Sequence, residues 1–519
     1  MNVSEVTKQA IRAPCAARIV VTLAAVVAIA LALGRLTGAD AGLRVETAAV
    51  GATPVTITRP ASEAPAPAVV IAHGFSGSRP LMRAFSATLA RNGYVAVSFD
   101  FLGHGRNPGP MTGDVTTEDG ATAALVAELG RVADFARALP GVDGRLAVLG
   151  HSMAGDVIAR YALATPEVAA TVGVSMFSPV VDADQPRNLL MIVGGWEAGL
   201  TDEALRVLQL SAGPGAGAGE THGDFATGTA RRAVFAPGVE HISVLWSVTA
   251  IRESVDWLNA VFDRSGPAQV VPRGGWVALL LAGIVALGWP LSRLLPRLDG
   301  GAPGAGEGAG VRGWRFAIAA LAPAVLTPLI AVALDWRFLP VIVGDYLALH
   351  FALYGALTAL ALWWAGARRP AGLFSAGRWL AALAVAGFAI GALGWALDAH
   401  VSSFRPVAPR WPLILALLAG MAPYFLADEW LTRGRDAPPL AYPLTKLCFL
   451  GSLAAAVALD LERLFFLIIL TPALLLFFLV YGLFSRWAWR RTGDPWVGAL
   501  ANAAAFAWAI GVTFPMVAG

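Results

Sequence analysis

The hexapeptide GHSMAG at residues 150 to 155 sets a serine, Ser152, among small residues directly after the apolar run RLAVL. A serine hydroxyl is a poor nucleophile until an adjacent base removes its proton. Three further stretches carry residue types suited to such work: HGF at 73–75, DFLGHG at 100–105 and VEHIS at 239–243. Other chemistries lack a motif. There is no H-E-x-x-H, no carboxylate run suited to Ca²⁺, no P-loop and no dinucleotide fingerprint. The two cysteines, Cys15 and Cys448, form no C-x-x-C pair. Neither a metal nor a cofactor is expected.

These stretches need elements to position them. Between Gly42 and Asp263, short runs rich in Val, Ile and Ala alternate with amphipathic stretches. The runs at 66–75, 94–101, 145–152, 168–177, 187–195 and 231–238 have the pattern of buried strands. Helices are predicted at about 80–91, 119–138, 154–164, 201–210 and 247–263. Such alternation implies right-handed crossovers and a doubly wound, mostly parallel sheet covered on both faces. Chemistry in such sheets gathers at the C-terminal ends of the strands, where all four stretches fall.

At this point the segment from Val45 to Asp263 resembles the α/β-hydrolase family, in its serine esterase, lipase and serine aminopeptidase branches. In that family the serine sits on a strand-to-helix elbow written G-x-S-x-G. Here Gly150 and Ser152 match, while Ala154 stands where the last glycine is usual and Gly155 follows it. The family order of serine, acid and histidine implies that His241 is the base, with His222 in the polar ETHGDF insertion as competitor. The usual G-x-x-D spacing of the acid falls on Gly194 and Glu197, with Asp202 and Asp182 as alternatives. By the same resemblance, the backbone amides of Phe75 and Met153 form the oxyanion hole. Asp100 and His104 are expected to be structural.

Composition adds a second part. The 519 residues are 57% hydrophobic and 14% charged, with a mean hydropathy of +0.64. That is outside the range of soluble domains. A bilayer-spanning helix needs about 20 apolar residues. Nine candidates occur, at roughly 18–36, 276–294, 316–334, 346–366, 379–397, 411–428, 441–459, 464–484 and 496–516. The tail and alternate short connections hold 16 Lys and Arg, against Arg337, Arg405, Arg410 and Arg463 on the other side. Positive residues are retained in the cytoplasm. This bias places the N-terminus inside and the domain at 41–265 outside the cell membrane. The arginines thus speak for topology, and no nucleic-acid partner is expected.

The resulting layout is a cytoplasmic tail and anchor at 1–40, the α/β domain at 41–265 and an all-α polytopic membrane domain at 274–519. Alternatively, the first segment is a cleaved signal peptide. The glycine-rich stretch at 297–313 reads as a linker.

No long insertion follows the 168–177 strand, so the site is expected to be open, with 211–228 as the one sizeable insertion able to cover it. The leading expectation is hydrolysis of a lipid or other acyl ester through an acyl-enzyme. A serine peptidase of the same fold is the alternative. A second class of reading gives the main role to the helices, as transporter or sensor. Asp335, Asp345, His350, Asp398, His400, Asp460 and Glu462 lie near one predicted boundary, either as solvated helix ends or as a polar floor.

Overall fold

The computed structural model describes residues 3–62, 64–113, 118–298, 308–368, 375–434 and 436–518; most of the proposed linker lies outside them. The chain divides into two compact units. One comprises Ala32–Ala278, Leu397–Val407 and Pro515–Gly519, the other Met1–Leu31, Leu279–Ala396 and Ala408–Phe514.

The first unit is built on a nine-stranded sheet among the described residues. Its strands are β1 (Leu43–Val50), β2 (Thr53–Pro60), β3 (Ala66–Ala72), β4 (Val95–Phe99), β5 (Val142–His151), β6 (Val168–Val174), β7 (Leu189–Gly194), β8 (Thr221–His222) and β9 (Arg231–Ala236). They lie in the order β1-β2-β4-β3-β5-β6-β7-β9-β8. The six strands expected from sequence are β3 to β7 and β9, and every neighbouring pair among them is parallel. The remaining three pair antiparallel at the edges. β1 escaped the sequence reading because its LRVETAAV is exposed along most of its length and has no apolar periodicity.

Alternate strand residues feed two cores, as a sheet covered on both faces requires. Val69, Ile71, Leu190 and Ile192 pack with Phe85 and Leu89 of the helix Arg83–Arg91 and with Ile251, Val255 and Leu258 of the helix Val248–Val261. Leu189, Met191 and Val193 face the other way, onto Ala204, Val207 and Leu208 of the helix Ala198–Ala212. The chain runs from β3 outward to β4 and then returns past β3 to β5. This reversal opens a crevice beyond the C-terminal ends of β3 and β5, the place where such sheets hold ligands.

The second unit is helical. Nine helices among the described residues are long and apolar enough to cross a membrane: Cys15–Gly38, Gly274–Leu294, Gly313–Leu334, Gly344–Trp364, Ala376–His400, Arg410–Thr432, Ala441–Leu459, Phe466–Thr492 and Pro495–Thr513. The helix expected to end at 484 continues to Thr492, so Arg486, Arg490 and Arg491 lie on its last turns rather than in a connection.

Among the described residues, three ion pairs are buried in this unit, as a low dielectric favours. Lys446 bonds to Asp428, which also accepts from Thr445 Oγ1 at 2.7 Å. Arg433 meets Glu429 at 2.9 Å, and Ser485 Oγ donates to the same carboxylate at 2.5 Å. Arg378 meets Asp494 at 2.6 Å. Three of the residues counted toward orientation, Arg378, Arg433 and Lys446, are therefore buried ion-pair members. His350 is fully buried beside Tyr346 Oη at 3.1 Å, while Asp335 and Glu462 are exposed.

Replacing Lys446 by Met leaves Asp428 buried without its cation and is expected to destabilise the protein by ~3–5 kcal/mol. Combining it with Asp428→Leu is expected to recover most of that loss. Thermal unfolding of both variants in detergent measures the difference.

Candidate active site

Ser152 occupies the turn between β5 and the helix Met153–Ala164, with φ 53° and ψ −119°. That backbone conformation is costly for a residue with a Cβ and projects the hydroxyl out of the turn. The turn is pinned by Ser152 N–H to Val174 O at 2.9 Å and by Gly155 N–H to Ser152 O at 2.7 Å. Its tightness dictates the neighbouring glycines. A Cβ on Gly150 would lie 2.7 Å from Ala154 O, and one on Gly155 would lie 2.3 Å from Met176 Cβ. Ala154 is itself fully buried without obstruction, so the close approach in this chain falls at 155.

His241 follows β9 and meets the serine, with Nε2 2.7 Å from Ser152 Oγ. Its other nitrogen, Nδ1, lies 2.5 Å from Glu197 Oε1. Glu197 stands at the end of β7, where its second oxygen accepts from Gly194 N–H at 2.8 Å and from Ser175 Oγ at 2.5 Å. Burial alone would raise this carboxyl, but the bonds from His241, Ser175 and Gly194 outweigh it and hold the group below its ordinary value. The competing candidates do not join this chain. Asp182 and Asp202 are exposed, and Asp182 accepts the amides of Asp184 and Gln185. His222 lies on the edge strand β8, 3.6 Å from Glu220.

Phe75 and Met153 flank the serine from the ends of β3 and β5. Gly74 approaches so closely that a Cβ there would be 3.0 Å from Ser152 Cβ and 2.8 Å from His151 Nδ1. Met153 is the first residue of the helix that follows, so its N–H is among those without an acceptor inside the helix. Asp100 and His104 are fully buried. Asp100 accepts the amides of Arg79 at 2.8 Å and Arg106 at 3.0 Å, tying the loops after β3 and β4 together.

Sequence reasoning passed over two supports. His151, inside the GHSMAG stretch, is buried, and burial pushes its pKa down to about 3. It is therefore neutral at physiological pH, and its Nε2–H donates to His241 O at 2.8 Å. Ser175, in left-handed conformation after β6, supplies the Glu197 hydrogen bond. The first was legible as a second histidine beside the nucleophile. The second had no local signal, because its partner lies 22 residues away.

Residues 63–229 match the family model described as serine aminopeptidase, S33. With the strand order and the elbow, that match decides the class. The unit has the α/β-hydrolase fold. No curated protein matches the chain. Among solved structures, the chain is similar to a putative dienelactone hydrolase from Klebsiella pneumoniae, at 17% identity, covering 43% of this chain and 99% of that one, with a TM-score of 0.32. A dienelactone hydrolase from Anabaena variabilis is 19% identical, with 42% and 96% covered and a TM-score of 0.31. A membrane phospholipase A described as a bacterial virulence factor is 13% identical, with 50% and 99% covered and a TM-score of 0.32.

Within the hydrolase unit, the packing at the elbow makes a direct prediction. Gly155→Val forces Met176 and the elbow apart and is expected to cost about 1–3 kcal/mol of stability, with loss of activity. Thermal unfolding and hydrolysis assays on one preparation check both effects.

Proposed function

We propose that the protein is a membrane-anchored serine hydrolase that cleaves acyl esters, with a lipid or other amphiphilic ester as its substrate. The observation that carries this reading is the unbroken chain from Ser152 through His241 to Glu197. In the proposed reaction Ser152 Oγ attacks the carbonyl carbon as its proton passes to His241 Nε2. Glu197 holds the ring and stabilises its charged form. The N–H groups of Met153 and Phe75 receive the negative charge that develops on the carbonyl oxygen. Collapse expels the alcohol with the proton from His241, leaving an acyl-serine. Water activated by the same histidine then releases the acid.

The rim of the site favours an apolar acyl group. Phe177, Trp196 and Ile242 are 57%, 71% and 43% exposed. Each follows a strand that leads to the site, and Trp196 and Ile242 adjoin Glu197 and His241 directly. Large apolar side chains left in contact with solvent around a nucleophile suit an amphiphile. The nine apolar helices support a permanent residence in the membrane, and the distribution of Lys and Arg supports an extracytoplasmic hydrolase unit. The matched family, described as serine aminopeptidase, favours a second reading, peptide cleavage. An aminopeptidase must recognise a substrate ammonium group. The nearest exposed carboxylate in sequence to the base, Glu240, is engaged by the amides of Ile242 and Ser243. The apolar rim therefore gives preference to esters.

A fluorophosphonate probe applied to isolated membranes is expected to label the native protein, and labelling is expected to vanish in Ser152→Ala and His241→Ala. Unlabelled, well-folded native protein would sink the reading. Glu197→Gln is expected to reduce kcat by about 10³–10⁴-fold with some residual turnover. For the rim, Trp196→Ala is expected to raise KM roughly tenfold for a long-chain nitrophenyl ester and to leave the acetate ester unaffected. Equal changes for both esters would count against a role in binding the acyl chain.

A further inference from the structure

The hydrolase unit contains a segment that comes from far along the chain. Residues Leu397–Val407 belong to it, although in sequence they join two helices, Ala376–His400 and Arg410–Thr432, that are apolar enough to cross a membrane. The segment is internally ordered by Asp398, a nearly buried carboxylate whose Oδ1 accepts the amides of Phe404 at 2.8 Å and Arg405 at 3.2 Å. Two contacts then reach the loops that carry the site. Asp398 Oδ2 meets Arg106 at 2.6 Å. Ser403 N–H donates to Ser78 Oγ at 2.8 Å, and Ser402 Oγ lies 3.1 Å from the same atom.

These contacts close a circuit. Ser78 lies three residues after Phe75 and is fully buried. Arg79 beside it donates its amide to Asp100, which also accepts the amide of Arg106, and Arg106 leads back to Asp398. The loop after β4 is held a second time from the C-terminal segment, where Met516 N–H donates to Gly103 O and Met111 N–H donates to Met516 O, both at 2.9 Å. The loop that bears the Phe75 amide is thus fixed at Ser78 and Arg79 by groups that residues 41–265 alone do not supply in full.

We propose that Asp398, with Ser402 and Ser403, positions the Phe75 amide for the oxyanion, so that hydrolysis depends on the connection between two membrane helices. The inference rests on the catalytic reading of Ser152 and adds a source of control to it. An oxyanion donor is effective when it is already in place as charge develops, and a displacement of about 1 Å can lower a rate by about 10²-fold. Substrate binding draws mainly on other surfaces and should be spared. Any movement of the two helices that displaced the connection would change turnover at the serine without touching Ser152, His241 or Glu197.

The test uses the full-length protein in detergent or vesicles, with a short nitrophenyl ester and a fluorophosphonate, whose phosphoryl oxygen must enter the same hole. Asp398→Asn keeps the size of the side chain and weakens the Arg106 contact, whereas Ser78→Ala removes the acceptor of the Ser403 amide. Each is expected to lower kcat by about 10-fold to 100-fold and to slow labelling in parallel. KM and the pH dependence of turnover should stay as in the native protein. The paired exchange Asp398→Arg with Arg106→Asp is expected to recover part of the loss, which a general folding defect would not allow. Native rates in both single variants, or losses that track a lowered Tm with no recovery in the exchange, would overturn the proposal. A native protein that neither hydrolyses the ester nor takes the label would instead remove the catalytic reading, and this inference with it.

Discussion

A serine held at φ 53° stores on the order of 1–3 kcal/mol of backbone strain, and the rest of the site is arranged around keeping it there. The turn has no room for side chains at Gly150 or Gly155, and Met176 fills the space that a bulkier residue 155 would need. Gly74 is small for the same reason, seen from the neighbouring strand. The buried parallel strands on either side make this strain sustainable. β3, β5 and β6 are hydrogen-bonded along their lengths, so the elbow cannot relax without breaking pairs in the centre of the sheet. Strain at Ser152 is thus balanced by the part of the fold least able to yield.

The same economy governs the histidines. His73 and His151 are wholly buried, and burial lowers the pKa of each. A neutral ring offers one donor and one acceptor, and His73 uses both: Nδ1–H donates to Gly74 O at 2.8 Å while Nε2 accepts from Phe101 N–H at 3.2 Å. His151 spends its donor on the carbonyl of His241. His241 differs from both, since its side chain is 32% exposed and faces a carboxylate that is 8% exposed. Environment, rather than residue type, separates the histidine that meets Ser152 and Glu197 from those that hold backbone.

Much of this was legible because local and global signals agreed. The six parallel strands are short runs rich in Val, Ile, Leu and Ala, alternating with amphipathic stretches, and the GHSMAG stretch has a meaning only at the end of such a run. Ser152, His241 and Glu197 come together as their positions after β5, β9 and β7 imply. The edge strand β1 was not legible, since an exposed edge strand need not alternate. Ser175 and Glu128 were hidden for another reason. Glu128 accepts from Thr53 Oγ1 at 2.5 Å and Leu102 N–H at 2.7 Å, partners 75 and 26 residues distant, and sequence spacing carries no trace of such a contact. Asp398 was read among the ends of apolar helices, and its tie to Arg106 spans 292 residues.

Buried carboxylates do two different kinds of work in this chain, and the difference follows from what surrounds them. In the helical unit most backbone groups are satisfied within the helices, and Asp428, Glu429 and Asp494 pair with cations, Asp494 also accepting the Trp496 amide at 2.8 Å. In the hydrolase unit the loops beyond the strand ends have no ladder to pair with, yet a buried N–H still needs an acceptor. Asp100, Glu128, Glu197 and Asp398 supply it, to Arg79 and Arg106, to Leu102, to Gly194, and to Phe404 and Arg405. Glu197 is the member of this group that also meets an imidazole, at the 2.5 Å approach of His241 Nδ1.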